Sequence, residues 1–189
     1  SARSCMFADE PYDYLIMDEA SQVSSETGTL ALTCARNAII VGDTKQLPNV
    51  ETEEDRKKLQ AIAKPYNIAE GYDCSKYSFL ESVLKVIPDV TETMLREHYR
   101  CHPRIINFCN QKFYGGNLLI MTEDQGEENV LRAIRTVKGN HAANHMNQRE
   151  IDVVKEELLP TLKECGSIGI VTPYNNQVNA FCQQLNEVK

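Results

Sequence analysis

Tyr14-Leu15-Ile16-Met17-Asp18-Glu19-Ala20-Ser21-Gln22 and, further along, Ala38-Ile39-Ile40-Val41-Gly42-Asp43-Thr44-Lys45-Gln46-Leu47-Pro48 decide the fold. Each reads as a short buried strand that ends abruptly in acidic residues. An apolar run capped by carboxylates at the strand's carboxyl end suits a magnesium-nucleotide site on a parallel sheet. The hard Mg²⁺ ion favours oxygen ligands and keeps several waters, held by one or two carboxylates and substrate phosphates. Asp18 is therefore the candidate for the metal shell, and Glu19 is placed to polarise an attacking water. A lone Asp-Glu after a strand says little, because surface carboxylates often follow strands. The two blocks together say much more.

Outward from these blocks, residues 12–18 and 37–42 are expected as buried strands with a short helix over 26–35 between them. That alternation implies parallel strands joined by a crossover helix. Residues 51–58 open a polar helix or excursion, and 65–76 read as irregular loop. Apolar spacing predicts a helix over 79–86, closed by Pro88. A second unit is expected from residue 90, with a strand over 90–97. Pro103 opens a helix whose Ile105, Ile106, Phe108, Cys109 and Phe113 suit an inward face, and Gly115-Gly116 ends it. Within 122–146 only 130–137 has strand character. Ile151, Val154, Leu158 and Leu162 recur at helical spacing and predict an amphipathic helix over 149–162. A buried strand over 167–172 and a helix over 176–188 complete the reading, with no internal repeat.

The 189 residues, 42% hydrophobic and 25% charged, suffice for a core in one domain or two small ones. No apolar stretch has membrane-spanning length and no signal peptide opens the chain. The seven cysteines are scattered, odd in number and never spaced Cys-x-x-Cys, which suggests reduced thiols in an intracellular protein. The expected location is cytoplasmic, or nuclear in a eukaryote. A net charge of −7 argues mildly against nucleic-acid binding, although net charge averages over faces outside a local groove. Because Ser1 is not Met, the chain is expected to be an excised piece of a longer one.

With Tyr99-Arg100-Cys101-His102-Pro103 and Gly169-Ile170-Val171-Thr172-Pro173-Tyr174, the two opening blocks resemble the ordered motifs of a superfamily 1 nucleic-acid helicase. The nearest branch contains the nonsense-mediated-decay helicase and the replication helicase-nuclease. The resemblance runs from about Tyr14 to Phe181. It implies an α/β, P-loop NTPase (RecA-like) fold, with parallel sheets, flanking helices and two partial domains. Residues 1–89 would be the C-terminal part of a first RecA-like ATPase domain. Residues 90–189 would be the N-terminal part of a second RecA-like helicase domain. The implied cofactors are ATP and Mg²⁺. The implied partners are single-stranded DNA or RNA and the remainder of the parent helicase chain, with no membrane.

By that resemblance Asp18 and Glu19 are the magnesium-binding and water-activating pair. Phosphoryl transfer depends mostly on positioning and charge stabilisation, which these two supply. The plain alternative is a solvated pair capping a strand. Gln46 resembles the γ-phosphate sensor, since an amide donates to a phosphate oxygen or water without competing for the metal. Gly42 permits the tight turn, and Asp43 couples that loop to other motifs; the alternative is an ordinary Gly-Asp turn. Arg100 resembles the arginine that reaches the γ-phosphate. Tyr99 resembles the aromatic that packs on the base, or is a core tyrosine. Arg96 and Arg104 are phosphate contacts or solvated charges. Thr172, Pro173 and Tyr174 resemble a motif associated with the nucleic-acid strand, and Tyr174 either stacks a base or caps the strand packing. Asn175 and Gln177 are weaker polar candidates.

His98, Cys101 and His102 lie close in sequence, and His141 and His145 share i, i+4 spacing. Neither group carries the His-Glu-x-x-His or Cys-x-x-Cys pattern of a zinc site. No Gly-x-x-x-x-Gly-Lys-Ser/Thr phosphate loop occurs among the nine glycines, so weak or no ATP hydrolysis is expected of this chain alone. The leading reading is part of an ATP-dependent helicase. The alternatives are a non-catalytic interaction module of the same fold, and an ATPase that remodels protein or RNP complexes without unwinding.

Overall fold

The structure, a computed structural model, describes residues 10–137, 141–142, 144–162 and 166–186. Residues 1–9, 187–189 and the thiols of Cys5 and Cys165 lie outside the described residues. The architecture is mixed α/β with two small parallel sheets, and the chain divides into two compact units. One spans 10–101 and 106–122, the other 102–105 and 123–186.

In the first unit, strand β1 (Tyr12–Met17) pairs in parallel with β2 (Ala35–Ile40), in register from Tyr12 opposite Ala35 to Met17 opposite Ile40. Helix α1 (Ser25–Leu32) makes the crossover that parallel pairing requires. Helix α2 (Glu53–Ala63) follows, capped by Thr52, whose hydroxyl accepts the Asp55 amide at 3.1 Å. It buries no residue, as its run of Glu, Asp, Arg and Lys requires. The expected loop at 65–76 contains two 3-10 turns, Lys64–Tyr66 and Glu70–Tyr72.

Helix α3 (Phe79–Val86) supplies most of the core. Ser78 and Glu81 form a capping box, with the Ser78 amide donating to Glu81 at 2.9 Å and the Glu81 amide to Ser78 at 3.4 Å. Ala20, Phe79, Leu80 and Val83 are buried together, and Met17, Val23, Leu32, Ile40 and Leu84 pack on them. Gly28 is required here. A Cβ at this position would lie 2.1 Å from Cγ of the Phe79 ring, so only glycine lets α1 meet α3.

Helix α4 (Pro103–Phe113) begins at Pro103 and ends at Gly115 and Gly116, both at positive φ. Short strands β3 (Glu97–His98) and β4 (Leu119–Ile120) pair in parallel. In the second unit, β5 (His141–Ala142) and β6 (Met146–Asn147) form an antiparallel pair. A helical run follows, starting as α5 (Gln148–Asp152), widening to a π turn over Val153–Leu158 and tightening to 3-10 over Leu159–Leu162. Pro160 lacks an amide hydrogen and crowds the turn before it, and the change of pitch lies at that turn. Helix α6 (Asn175–Asn186) packs Ala180 and Phe181 on Ile151, with Met146, Val154 and Leu185 around them.

Five expectations need correction. The strands β1 and β2 form, but Tyr14, Ile16 and Ile39 are 64%, 68% and 50% exposed. A parallel strand is buried only when both faces are covered, and α1 and α3 cover one. The strand over 90–97 shrinks to Glu97–His98, because β4 offers partners to those residues alone. No strand forms over 130–137 or 167–172; neither has a hydrogen-bonded neighbour among the described residues, and Val171 is 99% exposed. On α4 only Ile106 and Asn110 are buried, while Ile105, Phe108 and Phe113 are exposed.

Candidate active site

The parallel register brings the two motif loops together. Past the strand ends, the Val41 amide donates to the Met17 carbonyl at 2.8 Å and the Ala20 amide to the Val41 carbonyl at 2.9 Å. The chain leaving β1 is thereby stitched across the chain leaving β2. The Asn49 amide adds a bond to the Ser21 carbonyl at 3.0 Å. Gly42 sits at the closest approach. A Cβ there would meet the Ala20 and Ser21 amide nitrogens at 3.1 Å and Cδ2 of Leu80 at 3.0 Å, so a side chain would wedge the loops apart.

Asp18 and Glu19 stand exposed at this junction. The Glu19 amide donates to Oδ1 of Asp18 at 2.8 Å, and the Gln22 amide side chain donates to Oε2 of Glu19 at 3.3 Å. Glu19 adopts a left-handed backbone (φ 53°, ψ 36°) at the head of the 3-10 turn Ala20–Gln22. Such a conformation costs a non-glycine residue on the order of 1–3 kcal/mol and clusters at functional sites. Ser21 is buried with its Oγ unpartnered among the described residues.

Asp43 is a hub. Its Oδ1 accepts the Lys45 amide at 2.8 Å, and its Oδ2 accepts the Gln46 side chain at 3.3 Å and the Tyr114 hydroxyl at 2.5 Å. Burial works to raise the Asp43 pKa, but these hydrogen bonds and the Lys45 charge outweigh it and leave it below its ordinary value. Burial and the bond to Asp43 push the Tyr114 phenol up to about 12. Asp18, Glu19, Gly42, Asp43 and Gln46 are thus brought to one pair of adjoining loops.

Tyr99 and Arg100 lie in the same unit, after β3, and both are exposed. Tyr99 is 65% exposed and donates its hydroxyl to Glu97, so it is not a core tyrosine. Among the described residues no hydrogen bond joins Tyr99 or Arg100 to the Asp18–Gln46 group. The turn between them and α4 is held by the Cys101 amide donating to Nε2 of His98 at 2.8 Å, and by the Thr122 hydroxyl donating to the Cys101 carbonyl at 2.7 Å. Arg96 spends its Nε–H on the Asn117 carbonyl at 2.6 Å.

Thr172, Pro173 and Tyr174 belong to the second unit. Tyr174 is 49% exposed and stacks on His145, ring centroids 4.6 Å apart, so with no strand at 167–172 it caps none. Gln177 is 3% exposed. Its side chain accepts the Asn147 amide at 2.8 Å and donates to the Asn147 carbonyl at 3.2 Å, which fixes α6 to β6 and leaves it unavailable to a ligand. His102, Asp124 and Glu127 offer ligand atoms within 4.8 Å of one another. However, Nδ1 of His102 accepts the Arg104 amide at 3.1 Å, which puts the proton of a neutral ring on Nε2, facing Glu127 at 3.2 Å. Arg104 completes the cluster with a 2.8 Å bond to Asp124. The Gly126 amide, opposed by desolvation but aided by Arg104 and His102, holds Asp124 below the usual carboxylate range. The group is a hydrogen-bonded clamp, and the side chain of His141 lies outside the described residues.

The AAA domain family matches residues 75–189, well over half of the chain. The chain belongs to this family, and with its motif order it is recognised as a superfamily 1 helicase segment. It is similar to the "Uncharacterized ATP-dependent helicase MG140" of Mycoplasma genitalium, 30% identical over 89% of this chain and 15% of that protein. It is also similar to the "DNA replication ATP-dependent helicase/nuclease DNA2" of Gallus gallus, 24% identical over 100% of this chain and 19% of that protein. A third relative is the "5'-3' DNA helicase ZGRF1" of Mus musculus, 25% identical over 95% of this chain and 10% of that protein. The chain thus spans less than a fifth of the length of each of these relatives. The small parallel sheets are compatible with a P-loop NTPase-like helicase domain. No helix among the described residues is long and apolar enough to cross a membrane.

Proposed function

We propose that this chain is the part of an ATP-dependent nucleic-acid motor that activates the hydrolytic water and senses the γ-phosphate. The observation that carries the reading is the junction at Gly42. It presses the Asp18-Glu19 turn against the Asp43–Gln46 loop at the carboxyl ends of two parallel strands, where such folds bind nucleotides. In this reading the fold is RecA-like, with 1–89 from the first domain and 90–189 from the second. Glu19 orients and deprotonates water, Gln46 donates to the γ-phosphate, Arg100 stabilises its developing charge, and Tyr99 packs on the base. Thr172, Pro173 and Tyr174 grip single-stranded DNA or RNA along its backbone. ATP hydrolysis then drives translocation and unwinding.

The residues fit a magnesium ion. Asp18 and Glu19 are exposed, and among the described residues neither pairs with a lysine, arginine or histidine. The Glu19 amide occupies one Asp18 oxygen and leaves Oδ2 for a cation or its water shell. A bound Mg²⁺ would supply charge neutralisation at the phosphates.

Steady-state ATP hydrolysis by the full-length protein, with and without single-stranded nucleic acid, tests the reading. Strand-stimulated hydrolysis that drops by roughly a thousandfold in Glu19→Gln is expected for a lost water-activating group. A folded protein without hydrolysis overturns it, as does a Glu19→Gln variant as fast as the wild type.

A further inference from the structure

Tyr114, which no motif includes, makes the hydrogen bond of largest sequence separation to the candidate site among the described residues. Its hydroxyl donates to Oδ2 of Asp43 across 71 residues at 2.5 Å, to the same oxygen that the Gln46 side chain meets at 3.3 Å. Tyr114 stands one residue beyond α4, at a helix end that is unusually well fixed. Its amide donates to the Asn110 carbonyl at 3.1 Å, and the Gly116 amide donates to the same carbonyl at 3.0 Å. Asn110 is 4% exposed, and its side chain exchanges two bonds with Leu118, at 2.9 and 3.2 Å. The Asn117 amide and side chain both donate to the Tyr114 carbonyl, at 3.0 and 2.9 Å.

From this fixed turn the chain enters β4, which pairs with β3, and β3 runs directly into Tyr99 and Arg100. The Leu119 amide donates to the Arg96 carbonyl and the Met121 amide to the His98 carbonyl, each at 2.9 Å. Gln46, Asp43, Tyr114, the turn at 115–118, β4 and β3 therefore form one continuous bonded path within a single compact unit. A contiguous packed or hydrogen-bonded network of this kind is a physical route for coupling between sites.

We propose that Tyr114 is a positioning residue for ATP hydrolysis: its hydroxyl holds the Asp43 carboxylate, and through it Gln46, in register with the segment that carries Tyr99 and Arg100. The proposal rests on the reading of Glu19 and Gln46 given above. Tyr114 touches neither nucleotide nor water in this role. Losing its hydroxyl frees Oδ2 of Asp43 to draw Gln46 away from the phosphate.

The test uses the full-length protein as wild type, Tyr114→Phe, Asp43→Asn and the double variant. It reads kcat and KM for strand-stimulated ATP hydrolysis, with urea unfolding in parallel. Tyr114→Phe is expected to lower kcat roughly tenfold, the size of a lost hydrogen bond to a charged group, with KM for ATP changed by less than about twofold. The double variant is expected to be no slower than Asp43→Asn, because both changes break the same link. A Tyr114→Phe enzyme within about twofold of wild-type kcat, or losses that multiply in the double variant, overturns the proposal. Urea unfolding that shows Tyr114→Phe to be partly unfolded under the assay conditions, to the extent that kcat falls, also overturns it, since that marks a structural staple. Wild type without hydrolysis sinks the Glu19 reading instead. In that event non-additive unfolding leaves only a staple, additive unfolding removes the link, and either result overturns the positioning role.

Discussion

The segment running from β2 into the 42–48 loop and the segment 166–174 have similar local chemistry: an aliphatic run, then a turn containing proline or glycine, then polar residues. Their structures differ. The first lies against β1 through a five-residue parallel register, and the turn beyond it is bonded to Met17, Ala20 and Ser21. The second has no strand partner among the described residues, and Val171 is 99% exposed. Backbone N–H and C=O groups need partners, and a strand is a shared property of two segments. β1 and β2 satisfy each other because α1 returns the chain alongside; no described residue within 123–162 does the same for Ile168, Ile170 and Val171.

That contrast can be sharpened by substitution. Phe79 seals the region beneath the first loop pair, and Phe79→Ala is expected to cost about 3–5 kcal/mol in urea unfolding. A cost under about 1 kcal/mol would mean that the 2% exposure of Phe79 does not describe its environment. Ser78→Ala removes one half of the capping box of α3, and a loss of about 1 kcal/mol is expected in the same measurement. At the other extreme, Val171→Ala should change stability by less than about 0.5 kcal/mol, and a larger loss would reveal a packed strand there.

A smaller effect separates the two regions by pH. Tyr114 has its pKa raised on folding, so its contribution is complete below the ordinary value of 10.0 and is lost as pH rises towards about 12. Asp43 has its pKa lowered, so its contribution holds above 3.8 and fades as pH falls below that value. The difference in urea midpoint between wild type and Tyr114→Phe should therefore be flat near neutrality and shrink at high pH. A difference that grows on the alkaline side would contradict the Asp43–Tyr114 link.

Much of the first unit is legible in sequence. Leu15, Met17 and Ile40 announce strands that end in carboxylates, Phe79, Leu80 and Val83 announce an inward helix face, and Pro103 and Gly115-Gly116 mark both ends of α4. Ser78-Phe79-Leu80-Glu81 is also the signature of a capping box, a local signal that the reading of 79–86 as a helix passes over. What cannot be read locally depends on distant neighbours. The exposure of Tyr14 and Ile16 reflects which sheet face α1 and α3 cover, and the missing strand at 167–172 reflects the lack of a hydrogen-bonded partner among the described residues. Tyr114 finds its role only because Asp43, far earlier in the chain, lies against it. Within the candidate site, the adjacency of the Asp18-Glu19 turn to the Asp43–Gln46 loop follows from the parallel strands. The reciprocal amide bonds of Gln177 do not follow from any motif.

In the proposed function the two loops act as one site because they are pressed together at Gly42. Strand-stimulated kcat of the full-length Gly42→Ala variant addresses this most directly, with Glu19→Gln as the baseline and urea unfolding as the fold control. A Cβ at 3.0–3.1 Å from Leu80 and the Ala20 and Ser21 amides must displace the loops by a few tenths of an ångström. Folded protein with kcat lowered roughly three- to tenfold is expected, because a misplacement of about 1 Å costs up to about a hundredfold and this one is a few tenths of that. Wild-type kcat in a folded Gly42→Ala protein would contradict the shared site.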